Sequence, residues 1–115
     1  MRDLFGHRPA GAVLVGVAEG SRGRILRANR AFAALVGSTP DALVGSRVCD
    51  HFHPSDRARA LEAFLRLIDG SRSYCEGSCS LLGAGGKARL VSVYASMVAA
   101  GANQLILIRV HERPA

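Results

Sequence analysis

Tryptophan is absent from this chain of 115 residues, and aromatic side chains make up only 5% of it. Base-stacking platforms for nucleic acid need such rings. The net charge is +6, and every cation except Lys87 is an arginine, but the arginines are spread over every segment of the sequence. Nucleic-acid binding usually goes with a clustered basic stretch. We therefore predict a solvated basic surface and no direct nucleic-acid binding.

The chain also lacks a long apolar run. None approaches the ~20 residues that a membrane-spanning helix needs. The first nine residues have no continuous apolar core of the kind found in signal peptides. Three cysteines are too few for a disulfide scaffold. We predict a single domain with no membrane insertion, located in the cytoplasm.

The first third of the chain predicts two strands and a helix. Residues 12–18 are apolar on both alternating faces, which is typical of a strand covered on both sides. Residues 24–28 predict a second, shorter strand. Asn29 is a favoured N-cap residue, and Gly37 is a favoured helix end, so we expect a helix over residues 30–36 between them.

Two further helices follow. Thr39 before Pro40 combines a capping hydroxyl with proline at the first helical position, which predicts a single helical turn. Residues 55–69 have the clearest amphipathic pattern in the chain. Its apolar stripe consists of Leu61, Phe64, Leu65 and Ile68. We expect this stripe to face inward.

The last third predicts three antiparallel strands. Residues 74–81 alternate between apolar and polar positions, as in a half-buried strand. The glycine-rich residues 83–86 predict a hairpin turn, and residues 88–98 predict the returning strand. Residues 104–110 are again apolar on both faces. The order of elements predicts an α+β domain with an antiparallel sheet and helices on one side.

The ordered set of residues between the second and third strands resembles the PAS family. The residues that carry the resemblance are Asn29, Ala31, Phe32, Leu35, Gly37, Leu43, Gly45, His53, Pro54 and Asp56. The similarity extends over residues 12–113. We expect residues 1–10 to form an N-terminal lead-in or cap and residues 11–113 to form the PAS domain.

The resemblance implies a PAS fold, with a five-stranded antiparallel sheet in the order 2-1-5-4-3 and helices packed on one face. In such domains the helices form one wall of a small pocket, which holds a ligand or is filled by core side chains. Signals pass through the sheet to a dimer partner and a C-terminal effector. A histidine kinase, a diguanylate cyclase or a transcription factor would serve as effector, in two-component or cyclic-di-GMP signalling of a bacterial type.

The resemblance also assigns candidate residues to the pocket and to an interface. The pocket candidates are Phe32, Leu35, Phe52, Leu61, Phe64, Leu65, Cys75, Gly77, Cys79, Val91, Val93, Ala95, Ile106 and Ile108. The interface candidates are Leu4, Phe5, Val13, Val15, Leu105 and Leu107. Thiols and the missing side chain of a glycine in an apolar pocket favour a small hydrophobic or aromatic ligand over a nucleotide.

Neither haem nor flavin is favoured, and no cofactor is predicted. Haem-binding relatives place an axial histidine on the long helix, and residues 55–69 contain none. Light-sensing flavin relatives place their reactive cysteine between asparagine and arginine. Here Cys49 lies between Val48 and Asp50, and the later strands lack the amides that would contact the flavin edge.

Metal binding is also weakly indicated. Cys49, His51 and His53 occupy alternate positions, which suits a strand, whereas this segment has a helical pattern. Cys75 and Cys79 lie four residues apart on a predicted strand, about 13 Å from each other, which is too far to share a metal or form a disulfide. We predict no metal site.

We therefore predict a sensory or regulatory domain and not an enzyme. No nucleophile elbow is present, and the glycine-rich turn joins two strands, unlike a phosphate-binding loop. Two modes of action stay open. The domain binds a small ligand, dimerises, or does both to control an effector; alternatively it is a ligand-free dimerisation module.

Overall fold

The computed structural model describes residues 10–101 and 103–113. The strands are β1 (Gly11–Gly16), β2 (Ile25–Ala28), β3 (Tyr74–Leu82), β4 (Ala88–Ala100) and β5 (Asn103–Glu112). The helices are α1 (Arg30–Leu35), α2 (Pro40–Leu43) and α3 (Pro54–Ile68), with short 3₁₀ turns at Val48–His51 and Ala84–Gly86. In the described part of the chain, no helix has the length and apolar character needed to cross a membrane.

All five strands form one antiparallel sheet in the order β2-β1-β5-β4-β3. This confirms the predicted fold class and strand order. The first and last strands of the chain are neighbours at the centre of the sheet, and both have apolar residues on each face. The helices lie between β2 and β3 in sequence and cover one side of the sheet.

Asn29 joins the helical segment to the sheet. Its Oδ1 accepts hydrogen bonds from the amide of Phe32, which caps α1, and from the amide of Ala12 on β1, both at 2.9 Å. Its Nδ2 donates to the carbonyl of Ala10 at 2.9 Å. One side chain therefore ends β2, starts α1 and holds β1, because an asparagine amide both donates and accepts.

A glycine is required where α1 ends. Gly37 has φ of +69°, a conformation that side-chain-bearing residues rarely adopt, and a Cβ there would lie 2.6 Å from the Cβ of Ala84. The close approach brings the end of α1 against the β3–β4 hairpin.

Two interface candidates on β1, Val13 and Val15, lie on the opposite face of the sheet from the one predicted. Val13 and Val15 are 1% and 0% exposed and pair with the buried Ile108 and Ile106 of β5. They therefore face the helices and are not interface residues. Leu14 takes the opposite face. Alternation cannot distinguish the two faces of a strand that is apolar on both, so only the packing reveals which valines are inside.

The inward stripe predicted for α3 is correct for Phe64, which is buried, and for Ile68, which packs against the core. It is wrong for Leu61 and Leu65, which are 53% and 49% exposed, and Leu67 is buried in their place. Asp56 gives the physical reason, because its Oδ2 accepts a hydrogen bond from the amide of Ser80 on β3 at 2.9 Å. Positions 60, 63, 64 and 67 share the face of Asp56, and positions 61 and 65 do not. Leu61 and Leu65 therefore do not line the pocket.

Two of the interface candidates, Leu4 and Phe5, lie outside the described residues. The same holds for nearly all of the predicted lead-in over residues 1–10. The described interface candidates Leu105 and Leu107 lie on β5, on the face of the sheet away from the helices, and are partly exposed.

Candidate ligand cavity between α3 and the sheet

The start of α3 is attached to the free edge of β3. The amide of His53 donates to the carbonyl of Ser80 at 2.9 Å, and Asp56 accepts from the amide of Ser80. The Nδ1 of His53 accepts from the amide of Ser55 at 3.2 Å, which caps the helix. The two bonds to Ser80 pair an amide and a carbonyl at the edge of β3 that would otherwise be open to another strand.

Arg59 adds a second link between α3 and β3. Its Nη2 lies 2.7 Å from Oδ1 of Asp56, in an ion pair, and 3.0 Å from the carbonyl oxygen of Ser78. The guanidinium of Arg59 is exposed, so the electrostatic part of this link is weak. Its geometric effect is to bridge helix and strand beside the cavity described next.

A cavity of about 180 Å³ lies between α3 and the sheet. Its apolar lining residues are Phe52, Ala60, Ala63, Phe64, Cys75, Gly77, Cys79, Val93, Ala95 and Ile108. Its polar lining residues are Asp56, Arg59, Glu76 and Ser78. Of these four, all but Asp56 are exposed, so the opening to solvent lies along β3 beside the link made by Arg59.

Short side chains leave this space open. Ala60 and Ala63 are the cavity-facing residues on the middle of α3, and Gly77 lies opposite on β3. A Cβ built on Gly77 would have no neighbouring heavy atom within 4 Å, and its backbone is extended like the rest of the strand. Position 77 could therefore hold a side chain, and the volume it would fill is part of the cavity.

Two thiols line the cavity in their neutral form. Burial raises the pKa of Cys75, and burial together with the nearby Asp56 carboxylate raises the pKa of Cys79 to about 11. A thiol with a raised pKa is a poor nucleophile and a poor metal ligand near pH 7, since the thiolate is the reactive form. These two cysteines therefore provide a soft, uncharged wall.

The structure brings eight of the fourteen predicted pocket residues to the cavity. They are Phe52, Phe64, Cys75, Gly77, Cys79, Val93, Ala95 and Ile108. Phe32, Val91 and Ile106 are instead fully buried in the core, and Leu35 packs against that core. They fill the space nearer the centre of the sheet, so the open volume is displaced toward β3.

The prediction missed six lining residues. These are Asp56, Arg59, Ala60, Ala63, Glu76 and Ser78. Asp56 had a usable sequence signal, because an acid in the first turn after His-Pro is placed to accept backbone hydrogen bonds. The two alanines had no such signal, because an alanine in a helix is equally compatible with a cavity and with a closely packed neighbour.

Cys49 and His51 lie away from the cavity, in the 3₁₀ turn before α3. Nε2 of His51 lies 3.0 Å from Oγ of Ser46, and its ring meets Phe32 edge-on. Burial lowers the pKa of His51 and raises that of Cys49. Within residues 10–101 and 103–113, no three His, Cys, Asp or Glu side chains are grouped closely enough to hold a metal ion.

The other face of the sheet carries a second apolar surface. Leu14 pairs with Leu107, and Leu105 pairs with Val98; all four are partly exposed. Leu26 extends this surface at a bulge where β2 pairs irregularly with β1. We call these five residues the outer apolar face. Two tyrosines lie next to the outer apolar face. Tyr94 stacks on Tyr74, and the guanidinium carbon of Arg109 lies 5.3 Å from the centre of the Tyr94 ring.

A single curled antiparallel sheet with helices on one face and a small cavity beneath the long helix is the architecture of a sensor-type domain. A family model described as "PAS fold" matches residues 25–110. The chain therefore belongs to the PAS family, as its sequence pattern predicts. PAS domains are sensory modules of signalling proteins, and at this general level the chain is such a module.

Solved structures agree on the fold. The chain is 14% identical to a PAS domain from a two-component sensor histidine kinase, with a TM-score of 0.71, covering 96% of this chain and 90% of that one. A PAS domain from Desulfitobacterium hafniense is 13% identical, with a TM-score of 0.72 and coverages of 97% and 100%.

A domain of an HTR-like protein from Haloarcula marismortui is 20% identical, with a TM-score of 0.67 and coverages of 93% and 100%. At these identities the likeness concerns the fold alone. The search of curated proteins finds no match to the chain.

Proposed function

We propose that this PAS domain senses a small apolar ligand held in the cavity between α3 and β3. The observation that carries the proposal is the cavity itself, which is apolar on ten of its fourteen lining residues and is not filled by the core. Its size, about 180 Å³, is comparable to the roughly 150 Å³ cavity that holds benzene in an engineered protein. A ligand with one ring or two small fused rings fits this volume, and a nucleotide does not.

The proposed mechanism is a population shift between two packings of α3 on the sheet. Ligand contacts Phe64 from the helix and Ile108 from β5, and α3 is held to β3 through Asp56 and Arg59 at its first turns. Occupancy favours one packing only if the ligand binds that packing more tightly. β5 then passes the change across the sheet toward a dimer partner and a cytoplasmic effector domain.

The test uses a variant that fills the cavity. Gly77→Leu extends an aliphatic side chain toward the cavity from a Cβ that has no heavy atom within 4 Å, so we expect it to fold and to be at least as stable as the parent. Toluene and indole at millimolar concentration should raise the unfolding temperature of the parent and leave that of Gly77→Leu unchanged. Native mass spectrometry of the purified parent checks for a ligand that is already bound.

The cavity thiols supply an independent readout. A small maleimide should label Cys75 and Cys79 more slowly in the parent with indole present, and more slowly still in Gly77→Leu. The proposal fails if neither compound stabilises the parent and the thiols react at the same rate in both proteins. That result would mean that the cavity is closed in solution.

The second candidate function is ligand-free dimerisation, and the outer apolar face favours it. A contiguous exposed apolar surface on a soluble domain commonly marks a protein interface. Leu107→Ser should weaken self-association in sedimentation experiments, while Leu61→Ser on the helical side should not. A monomeric parent at all concentrations would remove this candidate. Dimerisation without any effect of toluene or indole would favour it over ligand sensing.

A further inference from the structure

Five arginines surround the β2 edge of the sheet. Arg22 and Arg24 precede β2, Arg27 is on it, Arg30 begins α1, and Arg47 is brought to it from the segment after α2. We call them the β2-edge arginines. All five are exposed, and Arg24 and Arg47 are direct partners in an antiparallel bridge. Like charges opposite each other across a strand pair destabilise the pairing, so this arrangement has an energetic cost.

These arginines have no acidic partner among the residues that the structure describes. Arg22 and Arg24 donate only to backbone carbonyls, those of Val17 and Gly45. The other side of the domain is different, since Arg59 pairs with Asp56, Arg66 with Glu62 and Arg89 with Glu112. Three of the seven described arginines outside this edge therefore have an acidic partner, whereas none of the five β2-edge arginines has one.

The start of α1 adds no compensating charge. Its first turn contains no acid, and its first residue is Arg30. The acids nearest in sequence, Glu19, Asp41 and Asp50, form no ion pair with the β2-edge arginines in the described chain. An incoming anionic group would meet several guanidinium groups with most of their N–H donors unused.

Aliphatic side chains lie among these arginines. Leu26 and Val44 are 40% and 51% exposed. Val44 lies beside β2, because the amide of the following Gly45 donates to the carbonyl of Ile25 at 2.7 Å. Arginine mixed with exposed apolar residues is characteristic of protein interfaces, where lysine is depleted. The only aromatic residue in this stretch, Phe32, is buried, so the surface has no ring for base stacking.

We propose that the β2-edge arginines form a docking surface for an acidic segment of a partner protein. Carboxylates of the partner pair with the guanidinium groups, and an apolar residue of the partner covers Leu26. Recognition uses side chains and not strand addition, because the backbone of Ile25 is already paired with Gly45 and Ser46. The surface lies away from the α3–β3 cavity, so this proposal does not depend on ligand sensing.

The test compares two triple variants with equal loss of charge. The first variant replaces three β2-edge arginines whose side chains form no hydrogen bond within the described chain, by Arg27→Gln, Arg30→Gln and Arg47→Gln. The control combines Arg66→Gln, Arg72→Gln and Lys87→Gln, all exposed and remote from β2. Circular dichroism verifies that both variants fold. The probe is a fluorescein-labelled glutamate-rich peptide with one leucine, followed by anisotropy at low and physiological salt.

We expect the cluster variant to bind the peptide about tenfold more weakly than the parent and the control to stay within about twofold, because exposed ion pairs contribute modestly and add up. Leu26→Ser should weaken peptide binding further. Equal weakening in both triple variants would overturn the proposal, since net charge alone would then explain binding. No binding by the parent would also overturn it. So would tighter binding to duplex DNA or to phosphatidylserine vesicles than to the peptide, because those outcomes assign the surface to another class of partner.

Discussion

Replacing Asn29 by alanine tests how the helical segment is attached to the sheet. The substitution removes the cap of α1, which typically contributes about 1 kcal/mol. It also removes the bonds to the Ala12 amide and the Ala10 carbonyl, each 2.9 Å long and near solvent. Partly solvated hydrogen bonds contribute roughly 0.5–1 kcal/mol each. We therefore expect Asn29→Ala to lower the free energy of unfolding by about 2–3 kcal/mol.

Thr39→Ala is the matched control. Thr39 caps α2 through a single bond, from the Ala42 amide to its Oγ1 at 3.2 Å, and makes no second link to the sheet. Its loss should cost about 0.5–1 kcal/mol. Urea unfolding followed by circular dichroism measures both variants. The interpretation of Asn29 as a three-way junction is refuted if Asn29→Ala costs no more than Thr39→Ala.

Asn29→Asp separates the acceptor and donor roles of this side chain. A carboxylate keeps the two bonds from the Phe32 and Ala12 amides, and its charge suits a helix start. It cannot donate to the Ala10 carbonyl and places a second oxygen against it. We expect Asn29→Asp to lower the free energy of unfolding by about 1 kcal/mol, because one hydrogen bond is lost. Its stability would then lie between those of the parent and Asn29→Ala. A loss as large as that of alanine would assign the whole effect to the Ala10 contact.

Three further outcomes concern α3 and the cavity. Arg59→Gln removes the link across the opening, so maleimide labelling of Cys75 should accelerate several-fold while stability falls by less than about 1 kcal/mol; an unchanged rate contradicts the assigned opening. Phe64→Ala should cost about 3 kcal/mol and Leu61→Ala less than about 1 kcal/mol in urea unfolding, and equal costs would contradict the observed helix phase. Cys79 has a pKa raised from 9.0 to about 11 because the folded protein favours its neutral thiol. The contribution of that thiol to the free energy of unfolding is therefore complete below pH 9 and is lost between pH 9 and about 11. The difference in free energy of unfolding between the parent and Cys79→Ala should shrink over that range and not below it.

Much of the fold could be predicted from local chemistry. Asn29 and Thr39 mark helix starts because each provides a side-chain oxygen for unpaired amides, and both do so in the structure. Gly85 and Gly86 adopt positive φ in the β3–β4 turn, as a hairpin requires. Alternation along β3 placed Cys75 and Cys79 on the cavity side. These features depend only on neighbouring residues, so the sequence contains the information directly.

The candidate site was harder to predict because it depends on the relative placement of elements. The stripe of Leu61 and Leu65 is a valid amphipathic pattern, but the bond between Asp56 and Ser80 turns α3 so that the alanines face the sheet. Val13 and Leu14 are equally apolar, and only pairing with β5 decides which of them is inside. In both cases two arrangements satisfy the local pattern, and a contact distant in sequence selects one.

By itself, the sequence determined the identity and order of the elements, since caps, glycine turns and hydrophobic periodicity act over a few residues. The tertiary structure alone decided three things: the unfilled volume between Ala63 and Gly77, the rotation of α3, and the meeting of Arg47 with Arg24 at the β2 edge. The physical reason is the same for each. Cavities, helix orientation and charge clusters arise from residues that are far apart in the chain. Local sequence patterns do not determine which residues contact a given side chain in the folded domain.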